Sequence, residues 1–518
     1  MSKSMSGAPG ATAELMSAVP AEVRVRIVSG MRLTVWLSAI SLPFSYGSTI
    51  LLARTGPEAV GTFGLLSVYI GAALGLFYLG GDALAIKFIP ELDSEKRLSF
   101  LFSYFLIACL AVLPWIIAAA IWPHTLHYLL GEQSSTSLQL LLIVLSPLTI
   151  LASLVGAALK GMLEIGFAQM LSRLVTIASF LVYAGLFFFS RSILVHSYPA
   201  VIWGTYLAFC ALSAGLGFRH LWRLNGWRNS WRSLRFFLPR GFWPYTLSLQ
   251  QLSALNFFAG RFDVILVLNF GGLALLGKYV ALITLAESIR LVSSFFIGTL
   301  LPSLTNMVAT RNLAGASAAF HTHMRILFLV TAGSTYGLIL LAHPITTLLG
   351  ANYTGLALLM ILMALFVGLC TPGGVGGTLL SSIGKQQRGV PIVLGQIAVY
   401  VTLFLFLWPR WQLLGAVLAY GVGWVVSNTV FIVVARLNSP FPFSVIKEYV
   451  AFAFVATGSA FVAHWEVLSI GSGLLVWLIA VGLFVVLARY SFEECRKLLH
   501  CFIPLSYFSS RGSAVSSV

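Results

Sequence analysis

Charged residues are scarce in this sequence: Asp, Glu, Lys and Arg make up 9% of its 518 residues, whereas soluble domains carry about 25%. With 59% apolar residues, a soluble protein of this size would lack the polar surface needed to cover itself. The apolar residues come in blocks of 18 or more, long enough to cross about 30 Å of hydrocarbon as helices. We therefore predict an all-α integral membrane protein.

The groups that carry chemistry are also few. The five cysteines form no CxxC pair, and no carboxylate or thiolate accompanies the histidine pairs His124/His127 and His321/His323. The loops predicted outside are about sixteen residues or shorter and hold no paired carboxylates. These absences argue against a membrane glycosyltransferase, polymerase or ligase. We predict a transporter with no metal site and no cofactor. The first apolar block starts too late and is too long for a cleavable signal peptide.

Fourteen apolar stretches are predicted to span the membrane. They are residues 31–53, 60–86, 98–121, 138–159, 169–190, 199–218, 242–269, 276–301, 324–342, 355–383, 390–409, 413–435, 446–463 and 467–487. The predicted organisation is a cytoplasmic tail (1–30), a six-helix N-lobe (31–218), a basic amphipathic linker (219–241), a six-helix C-lobe (242–436), and two further spans with a cytoplasmic tail (437–518).

Positive charge fixes the predicted orientation. The even-numbered loops and both tails hold 24 of the 31 Lys and Arg residues, and the odd-numbered loops hold three. Because positive residues stay on the cytoplasmic side, we predict both termini in the cytoplasm of a bacterial inner membrane. The net charge of +16 then reflects topology and contact with anionic lipids, not nucleic-acid binding.

An internal repeat supports the two lobes. Residues 56–63 and 272–279, which are 216 positions apart, share the pattern G-x4-G-x-aromatic before an apolar span. Residues 128–131 and 347–350 give a second match with an offset of 219. Six spans per repeat is an even number, so the two halves share one orientation and are related by an axis along the membrane normal.

Several short motifs resemble one transporter family. Residues 53–61 (ARTGPEAVG) and 88–92 (FIPEL) resemble the opening of Wzx-type polysaccharide flippases of the multidrug/oligosaccharidyl-lipid/polysaccharide (MOP) exporter superfamily. Residues 348–353 (LLGANY) resemble the turn before that family's tenth span, and 261–266 (RFDVIL) with 277–279 (GKY) resemble its seventh-to-eighth span region.

The resemblance covers about residues 30–436. It implies two six-helix lobes around a central cavity and alternating access that moves an undecaprenyl-pyrophosphate-linked glycan from the inner to the outer leaflet. It also suggests a polysaccharide polymerase or export machinery as partner. Two other transporters stay open as alternatives, namely a cation-coupled drug or small-molecule antiporter of the same superfamily and a lipid II flippase. The lack of a carboxylate deep in a first-lobe span counts against the antiporter.

Charges inside spans cost about 2.5–3.5 kcal/mol each at the helix centre, so their positions are informative. Most of them lie on the predicted seventh and eighth spans: Arg261, Asp263, Lys278, Glu287 and Arg290. In one interpretation, the three cations contact pyrophosphate or sugar, and Glu287 and Asp263 couple transport to H⁺ or Na⁺. In the other, Glu287–Arg290 and Arg261–Asp263 are internal pairs that lock the two helices.

The first half offers weaker candidates. Arg173, near Glu164, is predicted one turn inside the fifth span, as an interfacial arginine or a substrate entry contact. Arg54 departs from the positive-inside trend and is a candidate for closing an outer gate. Asp82 is expected to pair with Lys87 at the surface.

The linker carries a separate signal. From residue 227 to residue 238, apolar and arginine residues recur with helical spacing. This pattern predicts a short amphipathic helix lying on the cytoplasmic membrane surface, with membrane lipids as its partner.

Overall fold

The computed structural model describes residues 21–121, 136–225, 234–309, 311–465 and 469–490. This part of the chain is helical and contains no strand. Ten helical stretches within it are long and apolar enough to cross a membrane. The protein is therefore a multi-pass membrane protein of the all-α class, as the sequence predicts.

The helices of the first half follow one another with short connections. They are α1 (Ala21–Thr55), α2 (Pro57–Ala72), α3 (Asp82–Glu91), α4 (Ser94–Ile121), α5 (Thr136–Gly161), α6 (Ile165–Phe189), α7 (Arg191–His196) and α8 (Tyr198–Asn225). The end of α2 runs directly into a π-helical turn, Ala73–Phe77.

The second half contains two long helices that each include a sharp break. The helices are α9 (Phe242–Ala309), α10 (Leu313–Leu340), α11 (Ala342–Leu349), α12 (Ala357–Cys370), α13 (Gly373–Ser382), α14 (Gly389–Asn438), α15 (Ile446–Trp465) and α16 (Ile470–Leu487). Short 3₁₀ turns, Ala351–Leu356 and Gln386–Arg388, precede α12 and α14.

The breaks in α9 and α14 fall between predicted spans. Gly272 has φ 72° and ψ 179°, so it divides α9 into α9a (residues 242–271) and α9b (273–309). Gln412 (φ 41°, ψ −116°) divides α14 in the same way. Both residues lie between consecutive predicted spans, the seventh and eighth and the eleventh and twelfth. The count of fourteen spans stays a prediction.

The predicted second span, residues 60–86, is not one continuous helix. After the π-turn, residues 78–81 leave the helix, and Gly80 and Gly81 adopt positive φ values of 89° and 65°. Glycine takes such angles without the steric cost that a Cβ would add. The Tyr104 hydroxyl lies 3.0–3.3 Å from three carbonyl oxygens of this break, so the exposed backbone acceptors are satisfied inside the bundle.

The described part of the linker also differs from the prediction. Residues 234–239 have no regular secondary structure, so the predicted amphipathic helix does not include them. The amides of Arg235 and Phe237 donate to the hydroxyls of Ser99 (3.4 Å) and Ser103 (2.8 Å) on α4. Because these alternate amides bond to α4 and Pro239 follows, the chain stays extended. The earlier part of the predicted helix lies outside the described residues.

The chain divides into two compact units that cut across the predicted lobes. Unit 1 comprises Met1–Ser288, Ile345–Leu359 and Gln387–Ser427, and unit 2 comprises Ile289–Pro344, Met360–Gln386 and Asn428–Val518. The lobe boundaries inferred from the sequence stay a prediction. Unit 1 contains a core of stacked and edge-on aromatic rings, among them Tyr78, Phe88, Phe100, Tyr104 and Phe242.

Candidate functional site

A buried carboxylate lies on α9a. The Asp263 side chain is 3% exposed, and its Oδ2 accepts a hydrogen bond of 2.7 Å from the Tyr279 hydroxyl on α9b. Its other oxygen, Oδ1, has no hydrogen-bond partner among the described residues. Tyr400 and Tyr420 of α14 lie in the same electrostatic neighbourhood. The site is thus a carboxylate facing three phenol side chains inside the membrane.

Arg261 lies two residues before Asp263 but faces another helix. Two residues correspond to about 200° around a helix, so the two side chains leave opposite sides of α9a. The Arg261 stem packs next to Gly71 of α2, where a Cβ added to the glycine would lie 3.5 Å from Arg261 Cγ. Arg261 makes no salt bridge or hydrogen bond with any described residue. The internal Arg261–Asp263 pair, one of the two sequence-based interpretations, is therefore absent.

The other three predicted charges lie on α9b, and the structure brings one of them to the Asp263 site. Glu287 is half-buried and close enough to act electrostatically on Asp263. Lys278 is half-buried at the start of α9b and contacts no carboxylate among the described residues. Arg290 lies within reach of the Cys370 thiol on α12. The five charges thus do not form one cluster.

The two glycine motifs of the repeat pack against each other. A Cβ added to Gly61 would lie 2.5 Å from the Leu273 carbonyl oxygen, and one added to Gly277 would lie 1.7 Å from the Pro57 carbonyl oxygen. Pro57 and Leu273 are themselves equivalent positions of the repeat. Each second glycine therefore lets α2 and α9b approach at backbone distance.

Arg54 crosses from the first half of the sequence to the second. Its Nε donates a 2.9 Å hydrogen bond to the Leu348 carbonyl oxygen, at the end of α11. The Arg54 carbonyl oxygen in turn accepts from the Arg191 guanidinium at 3.4 Å. Both predicted outer turns of the repeat are thus tied together through one exposed arginine.

Gln250 makes a second connection between the halves, near the predicted cytoplasmic end of α2. Its Nε2 donates to the Gly75 and Leu76 carbonyl oxygens (3.0 and 2.8 Å), and its Oε1 accepts from the Gly80 amide (3.0 Å). A π-turn leaves backbone groups that the regular helix ladder would have paired. One side chain of α9a therefore satisfies the break in α2, which sequence reasoning did not identify.

The first half holds a polar cavity of about 330 Å³, which contains Asp82 and Lys160. Lys160 Nζ lies 2.9 Å from Asp82 Oδ2, and Ser153 Oγ donates to Asp82 Oδ1 at 2.9 Å. The predicted Asp82–Lys87 pair is wrong. Lys87 instead lies over the Tyr245 ring, 3.9 Å from its centroid, because the break after α2 redirects Asp82 towards α5.

Arg173 is half-buried on α6 and does not line this cavity, although Ser172 and Thr176 do. Its expected neighbour Glu164 approaches His220 Nε2 at 3.8 Å. The structure therefore gives Arg173 no place in a polar site, and its role as an entry contact stays a prediction.

No protein-family profile matches this sequence, and no curated protein matches it. Solved structures match across most of the chain. They include an inward-facing multidrug resistance MATE family transporter of the MOP superfamily (14% identity, 79% of this chain and 97% of that chain, TM-score 0.62). Another is the lipid II flippase MurJ in an inward closed conformation (13%, 90% and 98%, 0.59). A third is a MOP superfamily transporter from Pyrococcus furiosus (15%, 84% and 98%, 0.55).

At these identities the comparison establishes the fold. The protein is an all-α integral membrane protein with the fold found in MATE transporters and MurJ. Its structural neighbours are MOP superfamily transporters, in agreement with the superfamily that the short motifs resemble.

Proposed function

We propose that this protein is a flippase that moves a polyprenyl-pyrophosphate-linked oligosaccharide from the cytoplasmic to the outer leaflet for surface polysaccharide synthesis. Transport would proceed by alternating access and would be coupled to H⁺ or Na⁺. The fold shared with a lipid II flippase and with drug transporters supports the transporter class. The charges on α9 and the sequence motifs support the lipid-linked substrate.

The observation that carries the proposal is the state of Arg261. It is a half-buried guanidinium inside a membrane-crossing stretch, without a carboxylate partner among the described residues. A charge held in a span at this cost serves a partner, a cavity or a substrate. Because a guanidinium binds two phosphate oxygens at once, a pyrophosphate headgroup is the ligand that suits Arg261 best.

Asp263 is the proposed coupling group. One carboxylate oxygen is free of hydrogen bonds to described residues, and tyrosine hydroxyls surround the other side. A proton or a hard cation such as Na⁺ takes oxygen ligands of this kind. Asp263 and Arg261 lie on the same turn of α9a, so a change of charge at the buried site would move the helix that carries the substrate contact. Glu287 is a further candidate within electrostatic range.

The contacts of α2 with the second half of the sequence provide the elements that alternating access needs. Towards the predicted outer side, α2 meets α9b through the two repeat glycines, and Arg54 holds Leu348 nearby. Towards the predicted cytoplasmic side, α2 meets α9a through Gln250. Opening one side requires breaking one of these sets while the other set persists.

Reconstituted vesicles test the proposal directly. Purified protein is incorporated into liposomes containing a polyprenyl-pyrophosphate-linked glycan, and an added impermeant glycosidase reports how fast the glycan reaches the other leaflet. We expect wild-type protein to speed the exposure and Arg261→Ala to slow it at least tenfold, because the headgroup loses its bidentate contact. Arg261→Lys should keep part of the rate.

The matched control is Arg410→Ala, which removes an exposed arginine at the middle of α14. It should leave the rate unchanged. If wild-type vesicles and protein-free vesicles expose the glycan equally, or if deletion of the protein leaves surface glycan and lipid-linked intermediates normal in a cell with no redundant transporter, the flippase proposal fails.

A second candidate is the cation-coupled small-molecule antiporter. The cavity around Asp82 and Lys160 favours it, because the first half does hold a carboxylate in a polar cavity, and the sequence gave no sign of one. Under this alternative, Asp82→Asn would abolish drug efflux from loaded vesicles, and Arg261→Ala would not affect it. Efflux of cationic dyes by wild type would support this function, and glycan translocation without dye efflux would reject it.

A further inference from the structure

A second cavity, of about 350 Å³, opens where α10 and α15 begin, on the predicted cytoplasmic side. Its lining residues are His321, Thr322, Arg325, Ser444, Lys447 and Glu448. All six belong to unit 2. The cavity is thus separate from the Asp263 site and from the residues proposed to carry substrate.

Arg325 is held in a fixed position in this cavity. Its Nη2 donates to the carbonyl oxygens of Arg489 (2.7 Å) and Ala488 (3.3 Å), just after α16 ends. Its guanidinium carbon lies 4.3 Å from the centroid of the Tyr490 ring, and the Tyr490 hydroxyl donates to the Arg325 carbonyl oxygen at 2.6 Å. Carbonyl and ring contacts orient the guanidinium but leave its positive charge uncompensated.

Lys447 adds a second cation at the first turn of α15, where the helix presents unpaired backbone amides and the positive end of its dipole. Glu448 is the one carboxylate of the cavity and forms no salt bridge with its cations among the described residues. An acidic residue at this position favours the start of a helix. The cavity therefore offers two permanent cations, a histidine and two hydroxyl groups, a set of groups that suits a phosphate monoanion.

An apolar surface continues directly from the cavity. Ile446, Val450 and Phe454 are spaced four residues apart on α15, and their side chains are 60%, 63% and 68% exposed. In a membrane, such a stripe lies against acyl chains. A cationic cavity at the level of the headgroups, joined to a stripe at the level of the chains, matches one amphipathic ligand better than free phosphate.

We propose that this cavity binds the phosphate of an anionic glycerophospholipid from the cytoplasmic leaflet, with its acyl chains along the exposed stripe of α15. The bound lipid would join the ends of α10, α15 and α16. The inference does not depend on which substrate the protein transports.

Native mass spectrometry of the purified full chain tests this site. The protein is titrated with dioleoyl phosphatidylglycerol and with dioleoyl phosphatidylcholine, which share acyl chains. We expect tighter retention of phosphatidylglycerol. Lys447→Gln should weaken phosphatidylglycerol binding about fivefold, since one basic side chain at the membrane surface contributes about 1 kcal/mol. Phosphatidylcholine retention should not change.

The controls separate charge at the site from charge in general. Arg436→Gln removes an exposed cation at the end of α14 that does not line the cavity, and it should bind like wild type. Lys447→Arg should retain the preference. Ser444→Glu, an exposed position before α15 where an acid favours the helix, should weaken phosphatidylglycerol binding with no loss of thermal stability in phosphatidylcholine micelles.

Two further ligands identify the source of the phosphate. Glycerol 1-phosphate, which has no acyl chains, should bind at least tenfold more weakly than phosphatidylglycerol, and equal binding would overturn the lipid assignment. Undecaprenyl pyrophosphate that displaces phosphatidylglycerol and loses affinity in Lys447→Gln would make this a substrate site and overturn the proposal as stated. Equal losses in Lys447→Gln and Arg436→Gln would reject the cavity altogether.

Discussion

Gly64 packs against Val280, and these two residues occupy equivalent positions in the 216-residue repeat. A Cβ added to Gly64 would lie 2.4 Å from Val280 Cγ2. One turn away, the reciprocal contacts Gly61–Leu273 and Gly277–Pro57 are also related by the repeat. A contact between equivalent positions, flanked by a reciprocal pair, indicates that the local pseudo-two-fold axis passes close to Gly64. The repeat in the sequence is thus a packing arrangement in the structure.

This arrangement predicts a large effect of a small substitution. Gly277→Ala should lower the stability of the protein by about 1–3 kcal/mol, because the added methyl group meets the Pro57 backbone, which cannot move aside like a side chain. Thermal unfolding of the purified protein in detergent measures the effect. Gly61→Ala, the repeat-related variant, should behave alike.

Gly260→Ala is the matched control on the same helix. A Cβ at Gly260 would have no neighbour within 4 Å, so alanine should be neutral or stabilise the helix by about 0.5–1 kcal/mol. Equal melting temperatures for Gly277→Ala and Gly260→Ala would contradict the close approach of α2 and α9b.

Gln250→Leu should destabilise the protein through the break after α2. The substitution removes the partner of the Gly75 and Leu76 carbonyl oxygens and of the Gly80 amide. Buried backbone groups without partners cost about 1–3 kcal/mol. The melting temperature and the proteolysis rate between α2 and α3 report the change. The neighbouring exposed residue gives the control, since Gln251→Leu should leave both values as in wild type.

Asp263→Asn should separate coupling from folding. Asparagine keeps the shape of the side chain and an oxygen that can accept from the Tyr279 hydroxyl, so the melting temperature should be preserved or raised when a buried charge is removed. Transport measured in vesicles should lose its dependence on an imposed H⁺ or Na⁺ gradient. Tyr279→Phe serves for comparison, because it removes the hydrogen bond but keeps the carboxylate. Gradient-dependent transport by Asp263→Asn would exclude Asp263 as the coupling group.

The Asp82–Lys160 pair should contribute measurably to stability, although both side chains are about one-third exposed. A double-mutant cycle with Asp82→Asn and Lys160→Gln should give a coupling energy up to about 1 kcal/mol after solvent screening. The same cycle on Asp93 and Lys96, which are 79% and 56% exposed, should give a value near zero. Identical coupling in the two cycles would argue that the cavity gives the buried pair no special environment.

The sequence predicted the class of the fold because it depends on local and additive properties. Apolar blocks of sufficient length can satisfy their backbone groups only as helices in a membrane, so the spans can be recognised without knowing their neighbours. The structural neighbours confirm that fold. The breaks at Gly272 and Gln412 also fall between predicted spans, because the sequence there departs from the apolar pattern.

The predictions that failed concern partners and local irregularities. Asp82 was assigned to Lys87 because the second span was taken as one helix, but the π-turn and two glycines of positive φ turn Asp82 towards Lys160. The described end of the linker is extended because serine hydroxyls on α4 take its amides. Helical geometry alone could have separated Arg261 from Asp263, since residues two apart leave opposite faces.

By itself, the sequence determined that this chain is a helical membrane protein, and it carried the repeat and the concentration of charges on α9. These features follow from composition and from periodicity along the chain. Only the tertiary structure decided that the repeat glycines meet, that Gln250 bonds to the break in α2, that Arg54 reaches Leu348, and that Asp263 faces tyrosines while Arg261 does not. Such contacts join residues distant in sequence, and their geometry depends on helix rotation and backbone breaks that apolar patterning does not specify.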